Sequence, residues 1–315
     1  MEKQKIILDC DPGHDDAVAI MLAAKAPNLE LLGITTVAGN QTLEKTQRNA
    51  CRVLQWIGAD VPVYAGCDRP MVRSQVVAGD IHGDSGLDGP VFPLLSKTAE
   101  REHAVHYLIR TLVESEGDII VVTTGPMTNL AMAMRLEPRS VEKIRRIVLM
   151  GGSYGNGNVT PAAEYNIIAD AEAAYVCFTS GRPITMVGLD VTRKVLCYPS
   201  VTERMAKVNT CASRLFVDLM AHFCKTQKEI YGMEGGPLHD PVTIASLIDP
   251  ELLTTKPMNV QIDLRSTQSY GRTNCDYFGY LGLPATADVA VDIDVKRFWD
   301  IVEAGLARYG EADKA

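Results

Sequence analysis

The sequence predicts an α/β fold: an open, mostly parallel sheet flanked by helices, built as a single domain. Three observations carry this. Short apolar runs such as "KIILD", "DIIVVTTG" and "RRIVLMGG" lack the polar alternation of a half-exposed strand, as expected of strands buried on both faces. Segments with helical spacing separate them. No low-complexity linker, charge block or fixed-period repeat divides the 315 residues, a length one α/β domain can reach.

The elements follow in order. "KIILD" is the first strand, and Ala17, Ile20, Met21 and Ala24 mark one face of the helix after it. "LLGITTVAG" is the second strand, followed by a helix whose inner face runs from Leu43 to Ile57. "VPVYAG" precedes a helix near 100–115, "DIIVVTTG" a helix from about Thr128, and "RRIVLMGG" a helix from about Asp170. "PITMVGLD" closes the regular part. Beyond it come a long helical pattern over 211–230, the loop "YGMEGGP", a helix from about Pro241, strand-like "MNVQIDL" and "ADVAVDI", and a C-terminal helix. The domain is expected to span 1–315, with 200–250 forming helices and loops over the rim of a site.

Composition narrows the function. Hydrophobic residues make up 46% and charged residues 22%, and the formal net charge is −8. Without a dense Lys/Arg block, neither a nucleic-acid groove nor a polybasic membrane patch is expected. The N-terminal apolar run, Ile6 to Leu8, is too short for a signal peptide or a membrane span. The eight cysteines are scattered with no C-x-x-C pair, which reads as reduced thiols in a soluble cytoplasmic protein.

Polar clusters fall just after strands, where open α/β sheets bind ligands. "DCDPGHDD" follows the first strand, "AGN" the second, "TTGPMTN" the run 118–123 and "MGGSYGNGNVTPAAEYN" the run 145–150. The first cluster places Asp9, Asp11, Asp15 and Asp16 within eight positions. Asp15 or Asp16 could simply cap a helix, as could Asp240 before Pro241. Four carboxylates around one turn, however, repel one another unless a cation neutralises them. With one cysteine, Cys10, and one histidine, His14, against four aspartates in the cluster, a site built from the carboxylates is an all-oxygen one, which favours Ca²⁺ or Mg²⁺ over zinc. The calcium-loop pattern fails, because Gly13, His14 and Ile20 occupy its key positions. No P-loop and no G-x-G-x-x-G fingerprint is present. Among the histidines, His103, His106 and His222 lie on helices and read as surface or packing residues. His82 and His239 lie in glycine-rich polar loops, and His239 beside Asp240 is the best general-acid candidate.

Taken together, "DCDPGHDDAVAI", "AGNQT", "HGDSGLDG", "TTGPMTNLA", "MGGSYGNGNVTPAAEYNI" and "HDP" resemble the signature segments of the inosine-uridine-preferring nucleoside hydrolases, in order from about residue 5 to 300. The resemblance implies a Rossmann-like open α/β fold, a bound Ca²⁺ and hydrolysis of the N-glycosidic bond of ribonucleosides by a calcium-held water. Carried over by position, the metal ligands would be Asp11, Asp16, Asp240 and the backbone carbonyl of Thr124, with Asp11 also the base. Asp15, Asn40, Met150, Asn158, Glu164 and Asn166 would hold the ribose. His239 would serve the leaving group, with His82 near the base, and Asp9 would be structural. Gln227 and Tyr231 in "KTQKEIYG" resemble base-side residues of pyrimidine-preferring members, so uridine and cytidine are the expected substrates. The family commonly forms homodimers or homotetramers. Two competing readings are a Mg²⁺-dependent haloacid dehalogenase-like phosphatase, with Asp9 and Asp11 as the reactive pair, and a Ca²⁺-dependent nucleoside-binding protein without turnover.

Overall fold

The computed structural model describes residues 3–310; the outermost residues of the expected 1–315 domain lie outside that range. Twelve strands occur among the described residues: β1 (Gln4–Cys10), β2 (Leu29–Thr36), β3 (Val63–Ala65), β4 (Ile119–Thr123), β5 (Ile144–Met150), β6 (Ile184–Val187), β7 (Leu196–Cys197), β8 (Gly236–Pro237), β9 (Leu253–Met258), β10 (Val260–Ile262), β11 (Thr273–Cys275) and β12 (Ala287–Ile293). Eight of them form one sheet in the order β3-β2-β1-β4-β5-β6-β12-β9. Every neighbouring pair is parallel except β12 with β9 at the edge. The pattern agrees with the unalternated apolar runs, because helices cover both faces. Ile6 and Leu8 pack into one core layer and Ile7 into the other.

The first layer holds the helices His14–Ala24, Leu43–Trp56, Cys211–Tyr231, Pro241–Ile248 and Val295–Leu306. His14–Ala24 is buried on all sides from His14 to Ala23, and it packs against the other four. The second layer holds Ala104–Glu114, Thr128–Leu136 and Ala171–Phe178. Helix starts follow local chemistry. The expected start near Asp170 is right because the Asp170 side chain accepts from the Ala173 N–H at 3.0 Å. His103 stands just outside its helix and caps it, its Nδ1 accepting from the Val105 N–H.

One departure from expectation has a clear cause. "MNVQIDL" is not one strand: the chain turns at Asn259, whose side-chain amide donates to the Pro284 carbonyl. β9 therefore ends at Met258, and β10 leaves the main sheet to pair with β11. The long helical pattern over 211–230 forms as expected, as the helix Cys211–Tyr231, which ends on Gly232 in the left-handed conformation (φ 68°).

Sequential strands run outward from β1 to β2 in one direction and from β4 onward in the other. The direction in which successive strands are added thus reverses between β1 and β4, the position where open α/β sheets open a crevice beyond their strand ends. The loops after both strands carry the residues considered next.

Candidate active site

A cavity of about 320 Å³ opens beyond the C-terminal ends of the strands, within the range that holds a small molecule. Its acidic floor is assembled from both ends of the chain. Asp15 and Asp16 begin the helix after β1, and Asp240 precedes Pro241; their carboxylates approach within 4.8 Å of one another, all buried. Asp240 occupies an N-cap position yet makes no cap hydrogen bond, so capping does not explain it. Asp16 does cap, accepting from the Gly13 N–H at 3.0 Å, while its other oxygen accepts from the Thr124 hydroxyl at 2.7 Å. Capping and clustering coexist in that residue.

Asp11 is fully buried beside this group. Its Oδ2 accepts from the Asn40 N–H at 2.6 Å, and its Oδ1 has no hydrogen-bond partner among the described residues. A buried carboxylate oxygen without a partner is costly, and here it points to a missing positive charge. Burial, then the neighbouring Asp16, push the Asp11 carboxyl well above its usual range, and burial with Asp15 does the same for Asp240. Burial and Asp15 raise Asp16 to about 7. Two glycines make room: a Cβ at Gly39 would collide with the Asp11 carboxylate, and one at Gly125 would stand 2.6 Å from Oδ1. An oxygen-only donor set of this kind fits a hard divalent cation.

Asp9 is set apart. Its Oδ1 accepts from Thr35 Oγ1 at 2.6 Å and Asn129 Nδ2 at 2.8 Å, tying β1 to its surroundings, while its Oδ2 is buried without a partner among the described residues. Burial raises its carboxyl to about 7.

Above the floor, Asp15, Asn40, Met150, Asn158, Glu164 and Asn166 all line the cavity. Glu164 is held by three backbone N–H groups, those of Gly152, Asn166 and Ile167, at 2.9 to 3.1 Å. Burial nonetheless lifts its carboxyl to about 7. Asn166 donates to the Thr124 carbonyl at 2.7 Å and the Met150 carbonyl at 3.1 Å, joining the loops after β4 and β5. Asn158 Oδ1 accepts from the Tyr165 N–H.

The remaining wall carries His82, Gln227, Tyr231 and His239. His239 Nδ1 lies 2.7 Å from Thr192 Oγ1, and its backbone N–H donates to Asp15 Oδ2 at 3.3 Å. Burial pulls the His239 ring down to about 4, which leaves it neutral at pH 7. Its neighbour Asp15, rather than Asp240, supplies the opposing upward pull. His82 Nδ1 meets His14 Nδ1 at 3.1 Å, and His14 Nε2 donates to the Asp88 carbonyl at 2.8 Å. His222 stacks on His14 at 5.4 Å, consistent with a packing role.

Sequence reasoning missed Phe223, Tyr165, Leu189 and Arg193 on the cavity wall, and Thr192 behind it. For Leu189 to Arg193 a signal existed: "GLDVTR" follows β6 and so belongs on the same rim as the other polar clusters. Phe223 carried none beyond its place on an apolar helix.

The model of the inosine-uridine preferring nucleoside hydrolases matches residues 6–300. The chain belongs to this family. A pyrimidine-specific ribonucleoside hydrolase, RihB, of Escherichia coli O157:H7 is 55% identical over 309 residues, covering 98% of this chain and 99% of that protein. A purine-preferring ribonucleoside hydrolase from Gardnerella vaginalis superposes with a TM-score of 0.90 at 37% identity, covering 96% and 98% of the two chains. A plant nucleoside hydrolase, PpNRh1, gives 0.89 at 32%, covering 96% and 99%. This nucleoside hydrolase is therefore an enzyme, an N-glycosidase acting on ribonucleosides. The phosphatase reading is overturned by the family match, and the sequestered Asp9 agrees with that outcome. Among the described residues no helix is long and apolar enough to cross a membrane.

Proposed function

We propose that this hydrolase cleaves uridine and cytidine in preference to purine ribonucleosides, with Ca²⁺ held by Asp11, Asp16, Asp240 and the Thr124 carbonyl. The observation that carries the reading is the meeting of Asp15 and Asp16 with Asp240 under a nucleoside-sized cavity. Base preference rests on Gln227 and Tyr231 on the cavity wall and on the 55% identity to pyrimidine-specific relatives, against 37% to a purine-preferring one. When bound, the cation supplies Lewis acidity toward water and coordination for ribose hydroxyls.

The chain's own residues do the rest. Asp11, whose Oδ1 has no hydrogen-bond partner among the described residues, accepts the proton of the attacking water. The water oxygen bonds to C1′, the C1′–N bond breaks, and its electron pair leaves with the base. Asp15, Asn40, Asn158, Glu164 and Asn166 grip the ribose hydroxyls, and Met150 gives the sugar an apolar face. Glu164 is preorganised for this by its three backbone donors, which spares reorganisation during reaction. His239 and His82 face the base, and a donor to the departing nitrogen is worth about 10²–10⁴-fold.

Initial rates of ribose release from uridine, cytidine, inosine and adenosine test the preference. Faster purine cleavage would overturn it. A cytoplasmic location is supported by the eight free thiols. Assembly as a homodimer or homotetramer is supported by the exposed apolar run of Phe278, Tyr280, Leu281 and Leu283, and light scattering decides between those states.

A further inference from the structure

The turn after β6, Leu189–Thr192, stands beside the cavity without a part in the chemistry described above. Each of its polar side chains is nevertheless committed to the site. The Asp190 carboxylate accepts from the Tyr154 and Gly155 N–H groups at 2.8 and 3.0 Å. Arg193 donates to the Asn156 carbonyl at 3.1 Å and the Gly157 carbonyl at 2.6 Å. Both hold the loop that presents Asn158. Thr192 turns the other way, fully buried, with its hydroxyl 2.7 Å from His239 Nδ1.

The direction of that bond can be derived. A helical threonine usually returns its hydroxyl proton to the carbonyl three or four residues earlier. Here the Gly188 carbonyl already accepts the Val191 and Thr192 N–H groups, both at 3.2 Å, and the Leu189 carbonyl accepts the Arg193 N–H at 3.1 Å. Among the described residues the Thr192 hydroxyl has no hydrogen-bond partner but Nδ1. A buried hydroxyl without an acceptor is costly, so the proton goes to Nδ1. A neutral imidazole has one lone-pair nitrogen and one N–H. Occupying the lone pair at Nδ1 leaves the proton on Nε2, the nitrogen without a protein partner, in a side chain that lines the cavity.

We propose that Thr192 is a positioning residue for the leaving group: it fixes His239 in the Nε2–H tautomer and aims that N–H at the departing base. This rests on the ribonucleoside-hydrolase reading of the site. The inference requires no proton transfer through threonine. If the ring becomes doubly protonated, the hydroxyl rotates and accepts from Nδ1–H, so the ring stays in place through the cycle.

The test compares Thr192→Val, which removes the hydroxyl, with Thr192→Ser, which keeps it, in the calcium-supplemented full chain. With uridine, the valine variant is expected to lose about 10–100-fold in kcat, a fraction of a full acid contribution, with KM within about twofold. With p-nitrophenyl riboside, whose leaving group needs no donor, its rate is expected to stay within about twofold of the parent. Serine should restore most of the uridine rate. Long-range nitrogen NMR of the His239 ring should show Nε2–H alone in the parent and a mixture of tautomers in the valine variant. Undiminished uridine turnover in Thr192→Val, equal losses on both substrates, or failure of serine to rescue would each overturn the proposal. So would an Nδ1–H tautomer in the parent. A parent that releases no ribose from any ribonucleoside would overturn the functional reading instead, and the NMR comparison would still decide the tautomer. Asp190→Asn is the contrast within the same turn: it should raise KM for uridine while leaving the His239 tautomer unchanged. A changed tautomer there would assign the effect to the fold of the turn and overturn the role of Thr192.

Discussion

Asp11 is fully buried beside the acidic floor, and its two oxygens are in different situations. One oxygen is pinned by the Asn40 N–H and the other is buried without a partner. Replacing it with alanine removes both a cation ligand and the proposed base, so Asp11→Ala is expected to lower kcat on uridine by at least about 10³-fold. Retained activity would contradict the scheme. His239 works at the opposite end of the scissile bond. Because burial holds its ring near 4, it acts at neutral pH as a hydrogen-bond donor rather than a preformed imidazolium. His239→Ala should therefore slow uridine cleavage by about 10²–10⁴-fold while sparing p-nitrophenyl riboside. Comparable losses on both substrates would exclude a leaving-group role. Sequence alone brought these residues into view, Asp11 from a polar cluster at a strand end and His239 from a glycine-rich polar loop beside Asp240. Asp15, Asp16 and Asp240 bring carboxylate oxygens within 4.8 Å of one another, and Asp11, which the positional carry-over groups with Asp16 and Asp240, is buried beside them with Asp16 as its strongest charged neighbour. Which side chains meet depends on how the turn 9–16 folds against Asn40 and Thr124, and that is a long-range matter.

At the scale of elements, long periodic segments were legible and short ones were not. The helix Cys211–Tyr231 was readable because 21 residues allow several turns of apolar spacing. The four-residue helices Gly79–His82 and Leu189–Thr192 have no room for a period, yet they present His82 and orient His239. The long helix carries Phe223, Gln227 and Tyr231 to the cavity, and its N-terminus is fixed by a capping box between Thr210 and Ser213. Thr210 lies far from the chemistry. Thr210→Ala should cost about 1 kcal/mol, read as a lower midpoint in urea, with kcat on uridine unchanged at 25 °C. A large loss of turnover with intact stability would show that the helix does more than carry the wall. Gly39 gives the reverse pattern. Gly39→Ala drives a methyl group into the Asp11 carboxylate, and overpacking of this sort costs about 1–3 kcal/mol. It is expected to abolish uridine turnover while the protein remains folded by circular dichroism.

The whole molecule explains why acidic residues separated by more than 200 positions share a floor. β1 sits inside the sheet at the point where the strand order reverses. The helix it feeds, His14–Ala24, packs against the helix that Asp240 begins. Burying these packed helices forces Asp16 and Asp240 together, and the core supplies what the carboxylates' repulsion opposes. A chain in this state gains stability from any cation that binds the folded form alone, by RT ln(1 + [L]/Kd), or about 2.7 kcal/mol at one hundred times Kd. Adding calcium to exhaustively chelated protein should therefore raise Tm by on the order of 5 °C and restore ribose release. Asp240→Asn should abolish most of that calcium-dependent rise. Asp9→Asn should keep it, because Asp9 is bound to Thr35 and Asn129 outside the cavity. Equal midpoints with and without calcium in the parent would remove the cation from the floor. The unpartnered oxygen of Asp11 would then have to be satisfied by a proton, and the hydrolase would need its water held by side chains alone.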